Sequence, residues 1–182
     1  TGLWRPASSN AYFTDQPTNT LACFGVWQAT TQDLARLLRD VETARLPTGR
    51  LYTAAWVFPH HGLTNDSYFL TNVAASVAHL RAQANAGRLE VVRFDEAYRI
   101  WQDEYGGAGS VRRDDGTTNV FVTFPLNTQD FSYPALSADL LDRAVTLHET
   151  WNVPVDVFLT TWMVDLYASE YPALFARLAT SR

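Results

Sequence analysis

Short apolar runs alternate with amphipathic stretches along most of the chain. Leu21–Trp27 (LACFGVW), Leu51–Phe58 (LYTAAWVF), Leu89–Phe94, Asn119–Phe124 (NVFVTF) and Val155–Thr160 are rich in β-branched or aromatic residues. Each predicts a buried strand. Between them the apolar positions recur at helical spacing. Leu34, Leu37, Leu38 and Val41 predict a helix that Thr31 caps and that stops before Pro47-Thr48-Gly49. Asn65 or Asp66 caps a long helix to about Asn85, where Gly87 supplies the stop. A short helix is expected over Asp95–Gln102, a longer one from Ser137 to about Trp151, and another after Thr160. Thr1–Asn19, with Pro6, Pro17 and several Ser, Thr and Asn, reads as loop. Strand–helix alternation of this kind points to an α/β chain with a parallel sheet or barrel. Tyr105–Gly116 (YGGAGSVRRDDG) interrupts it as a linker or exposed loop.

Composition narrows the class. The 182 residues suffice for one domain with a proper core, and 47% hydrophobic with 18% charged is a globular balance. No apolar run approaches the ~20 residues needed to cross a bilayer, and nothing at the amino terminus resembles a signal peptide. A net charge of -5 without a basic cluster argues against a nucleic-acid partner. The single Cys23 excludes an internal disulfide and Cys-based zinc motifs, and it reads as a small core residue.

Candidate chemistry sits where strands run out. After Phe124 the chain breaks at Pro125 into a polar loop whose only carboxylate is Asp130. An acid just past a buried parallel strand is where α/β sites usually lie, although an ordinary loop acid would look the same. His60 and His61 follow Leu51–Phe58 in the turn Pro59–Gly62. They are either solvated or a titrating pair near working pH. His79 and His148 fall mid-helix and read as structural, and Trp56, within a strand, reads as core. Asp15, Asp33, Asp156 and Asp165 show no pairing of the kind a two-carboxylate glycosidase needs.

Val122-Thr123-Phe124, Asn127–Phe131 (NTQDF), Val153–Thr160 (VPVDVFLT) and Glu170–Arg177 (EYPALFAR) follow one another in a telling order. Together, over about sixty residues, they resemble the opening of a polysaccharide deacetylase domain of the NodB type. That resemblance implies a parallel-sheet (β/α) barrel-like fold, here incomplete or permuted. A block resembling the back half of such a fold (1–104) comes first, then the loop (105–118), then the front half (119–182). Circular permutation, a junction of tandem modules and a piece of a longer chain all fit this order. Both blocks are expected to build one parallel sheet and together one domain, with Val120–Phe124 central.

The resemblance also implies chemistry. Such domains hydrolyse acetyl groups on a polysaccharide with a divalent metal, zinc or cobalt, held by one Asp and two His. Asp130 matches the metal-binding Asp, and His60 or His61 the residue that protonates the leaving group. Trp4-Arg5-Pro6 resembles the loop whose arginine, here Arg5, orients the catalytic base. Asn127 stands at the base position, where an amide cannot accept a proton. The chain contains no His-x-x-x-His pair, the family's metal motif. Trp27 and Trp162 fall at strand ends, where aromatic rings stack on sugars. The expectation is a deacetylase acting on an acetylated polysaccharide, or an inactive carbohydrate-binding module on the same scaffold. A cell-envelope or secreted setting would suit the family.

Overall fold

The computed structural model describes residues 2–11, 13–19, 22–24, 30–57, 69–107, 118–128 and 133–181; for Phe69, Leu70, Asn127 and Thr128 it describes the backbone alone. Its centre is strand β5 (Asn119–Thr123), in which every residue after Asn119 is buried. Strand β3 (Leu51–Ala55) lies along one side in parallel, from Leu51 opposite Asn119 to Ala55 opposite Thr123. Strand β4 (Glu90–Val91) lies along the other, also parallel, with Glu90 opposite Phe121. This is the parallel pairing expected of the runs at 51 and 120. Strands buried on both faces need apolar side chains in both directions, so they show as unbroken apolar runs.

Beyond Phe124 the central strand continues as β6 (Pro125–Thr128), paired in parallel with β7 (Asp156–Leu159). The backbone bonds fix where β7 lies. Val92 N–H donates to the Val122 carbonyl and Asp156 N–H to the Phe124 carbonyl, whereas Trp56 N–H donates to that of Thr123. Alternate residues of a strand turn their carbonyls to the same side. Strands β4 and β7 therefore occupy the same flank of the central strand, one beyond the other, opposite β3.

Helices cover both faces. Tyr52, Ala54, Trp56, Val120, Val122, Phe124 and Leu126 pack on one side against α1 (Thr31–Glu42), α2 (Ala75–Asn85), α4 (Pro134–Trp151), α5 (Thr161–Glu170) and α6 (Pro172–Thr180). On the other, Leu51, Val92 and Phe121 meet Leu3 and the Ala97, Trp101 and Tyr105 side chains of α3 (Phe94–Tyr105). This is a mixed α/β architecture with open parallel sheets. The described strands do not close the expected barrel.

Several boundaries depart from the sequence reading. Helix α1 is capped by Thr30 rather than Thr31: Thr30 Oγ1 accepts from Asp33 N–H, and the Asp33 carboxylate accepts from Thr30 N–H. Such reciprocal bonds satisfy two otherwise orphaned donors. Helix α2 continues a π-turn over Phe69–Ala74, so the expected caps Asn65 and Asp66 lie outside the described residues. The strand expected over Leu89–Phe94 is only two residues long, because Phe94 already opens α3. The amino-terminal loop contains order: β1 (Leu3–Trp4) pairs antiparallel with β2 (Cys23–Phe24), and Pro6 bridges to Asp15. Gly2 brings this segment close to β3. Its N–H donates to Thr53 Oγ1, its φ is +118°, and a Cβ there would sit 2.8 Å from the Leu51 carbonyl oxygen. Among the described residues no helix is long and apolar enough to cross a membrane.

Candidate functional site

Because β6 and β7 extend beyond β3, β5 and β4, the carboxyl end of the three-stranded sheet is also the place where β7 begins. Val157 and Leu159 turn into the larger core. Asp156 and Phe158, at alternate positions, share the opposite face. Both meet the start of α3: the Phe94 N–H donates to the Asp156 carboxylate at 3.0 and 3.2 Å, and the Phe94 ring lies edge-on to Phe158 at 5.9 Å. On its other side Phe94 contacts Phe24 edge-on at 5.0 Å. The result is a row of three aromatic rings beside a carboxylate.

Asp156 is the most perturbed carboxyl group in this region. Burial pushes its pKa up to about 6; the Phe94 N–H opposes that shift, Asp95 adds to it and Arg93 offsets it. Its first role is structural, since it satisfies one of the donors that α3 would leave orphaned. A carboxyl group half-protonated near pH 6 can also exchange a proton with a bound molecule. Next to it, Arg93 Nε lies 3.0 Å from Asp95 Oδ1, and this pairing keeps Asp95 below the usual carboxylate range.

Of the residues singled out by sequence, His60, His61, Trp27 and Asp130 lie outside the described residues. The expectation that Asp130 and one of the two histidines share a cleft therefore also falls outside them, as does most of the linker expected over 105–118. Asn127 lies in β6 at the register position opposite Phe158. Trp162 lies in the first turn of α5, just past the carboxyl end of β7, and is 46% exposed. Phe158, which the sequence reading did not single out, is equally exposed at 46%. The structure thus brings the strand positions of Asn127 and Phe158 together and sets Trp162 at the end of the same strand pair. Arg5 is buried: its guanidinium donates to Tyr98 Oη at 2.9 Å and lies over the Tyr98 and Trp101 rings at 5.7 and 5.1 Å. That contact fastens the amino-terminal segment to α3.

Of two features here, Asp156 and Phe158, one left a trace in the sequence. A lone acid inside the apolar run Val155–Thr160 signals a buried carboxylate that needs a partner. Phe158 left none, since an exposed Phe reads like a buried one in such a run. Among the described residues no three His, Cys, Asp or Glu side chains are grouped so as to hold a metal ion. Compared with protein-family models, with curated proteins and with solved structures, the chain finds no significant match in any of the three.

Proposed function

We propose that this chain binds an acetylated polysaccharide at the carboxyl end of β6 and β7, as a domain of the polysaccharide deacetylase type. The observation that carries this reading is the pair of exposed aromatics, Phe158 and Trp162, on and just beyond β7. Exposed rings at the end of a parallel strand offer flat apolar area to the C–H face of a sugar. They stand beside the strand position of Asn127, which sequence resemblance links to sugar-amide chemistry. In the catalytic form of this reading the chain hydrolyses acetyl groups with zinc or cobalt. The described residues do not themselves build a site for that metal, so no catalytic step is derived through it.

Two observations favour a second reading, a carbohydrate-binding module without catalysis. Arg5 is engaged with Tyr98 and Trp101, and residue 127 is an amide where a base is needed.

The test has two arms. Titration with acetylated chito-oligosaccharide, followed by tryptophan fluorescence, should saturate in the natural chain. Phe158→Ala and Trp162→Ala should each weaken it roughly threefold to tenfold, the effect of one aromatic contact. Unchanged binding in both variants would remove the site from β7. In the second arm, calorimetric titration with zinc and cobalt accompanies an acetate-release assay. Weak metal binding and little acetate release are expected, because a missing general base alone costs roughly 10²–10⁴-fold. Brisk release would establish the catalytic form over the binding module.

A further inference from the structure

Strand β7 has one edge paired and one free. Asp156 N–H donates to the Phe124 carbonyl, toward the central strand, and Phe158 shares that flank two positions on, opposite Asn127. In a parallel pair, alternate residues turn their backbone groups to opposite flanks. Those of Val155, Val157 and Leu159 therefore point outward. Among the described residues nothing pairs with them, and β6 is the strand neighbour of β7.

The same three residues leave apolar surface along that border. Their side chains turn toward the larger core yet are only half-buried. With Val145 of α4, Leu178 of α6 and Ser181 just past it, they line a cavity of about 180 Å³. Edges of this kind are normally blunted by a charge, a proline or a covering loop. Here the single charge between Val155 and Thr160, Asp156, is turned to the opposite face and bonded to the Phe94 N–H. Pro154 stands before the strand rather than within it.

What fits this edge follows from the strand's own sequence. A two-fold axis perpendicular to the sheet at Val157 lays two copies of β7 antiparallel. Val157 then stands opposite Val157 of the second copy, and Val155 opposite its Leu159. Every residue with outward backbone groups meets another of the same set, so each free N–H faces a free carbonyl. The side chains of these pairs lie on one face and are all apolar, a favourable cross-strand match. The edge is thus complementary to itself in both hydrogen bonding and side-chain character.

We propose that this chain forms a two-fold dimer by antiparallel pairing of β7 with β7 of a second copy, through Val155, Val157 and Leu159. The pairing occupies the free edge of β7 in both copies, so it closes at two and does not grow into a filament. It is independent of the sugar reading, which rests on the exposed Phe158 ring on the other face of β7 and on Trp162 beyond its end.

Sedimentation of the whole chain without sugar, from about 1 μM to about 1 mM, should show a mass rising from one chain toward two. Over the same series, deuterium exchange at the Val157 and Leu159 amides should slow as the dimer forms, while amides in the middle of α4 stay unchanged. Val157→Lys and Val157→Glu each set like charges against one another at the axis and should weaken self-association on the order of a hundredfold. Mixed in equal amounts, the two variants should pair again, because their charges now match; mixing cannot undo a merely structural defect. Overturning outcomes are a chain that stays monomeric throughout, leaving the edge to an extended segment of another protein, a mass beyond two, or association without slowed exchange at Val157 and Leu159. Folded variants that still self-associate, or that fail to pair when mixed, would overturn it as well. Where melting curves show that a variant does not fold, exchange in the natural chain decides.

Discussion

Asp156 and His148 pull the stability of this fold in opposite directions as pH changes. The folded pKa of Asp156 is raised from 3.8 to about 6. Its stabilising contribution is therefore complete below pH ~4 and is lost as pH rises through about 6. The folded pKa of His148 is depressed from 6.5 to about 4, so its contribution is complete above pH 6.5 and is lost as pH falls through about 4. At 1.36 kcal/mol per unit, His148 stands for about 3 kcal/mol. Asp156 stands for less, about 1–2 kcal/mol, once solvent screening of a half-buried group is allowed for. Between pH 4 and 6.5 the two oppose each other, and the larger His148 slope prevails. Asp156→Asn keeps an acceptor for the Phe94 N–H but removes one of the opposing slopes. Its melting temperature should exceed that of the natural chain at pH 7.5 and fall more steeply on acidification from 6.5 to 4. Superimposable melting curves for the two proteins would mean that Asp156 is not buried as described. Neither group stood out in the sequence as a titrating site. His148 was legible only as a core histidine, and what perturbs Asp156 comes from residues some sixty positions away.

Elements whose signal is local were legible, and those set by distant partners were not. The runs at 51 and 120 announced strands because a strand covered on both faces must be apolar throughout. Helix α1 was legible from Leu34, Leu37 and Leu38, all buried as the spacing required. By contrast, the two-residue pairing of Leu3–Trp4 with Cys23–Phe24 leaves no periodicity to read, and β4 stops short because α3 begins at Phe94. These elements also differ in what a single change should cost. Thr30→Ala removes one side of the reciprocal cap and should cost about 1 kcal/mol. Phe121→Ala, in the fully buried centre of β5, should cost about 3–5 kcal/mol. Urea midpoints for the two variants measure the ratio directly, and a Thr30→Ala cost as large as that of Phe121→Ala would contradict the packing described.

For the molecule as a whole, the sequence conveyed the layer plan, parallel strands between helices, but not how far the strands close. Closure depends on where β7 pairs, and β7 pairs with β6 on the flank of β4 rather than adding a neighbour to β3. Of the candidate site, Trp162 was legible because strand ends are where exposed aromatics collect; Phe158 was not, since its exposure depends on which face of β7 is covered. The bond from Phe94 to Asp156 spans 62 positions, and it gives α3 an unusual dependence. The first turn of that helix lacks this acceptor until β7 has docked. Exchange of the Phe94 amide with deuterium therefore acts as a local gauge of whether the two distant parts of the chain are assembled. In Asp156→Ala that amide should lose protection selectively, while amides in the middle of α3, bonded within the helix, keep theirs.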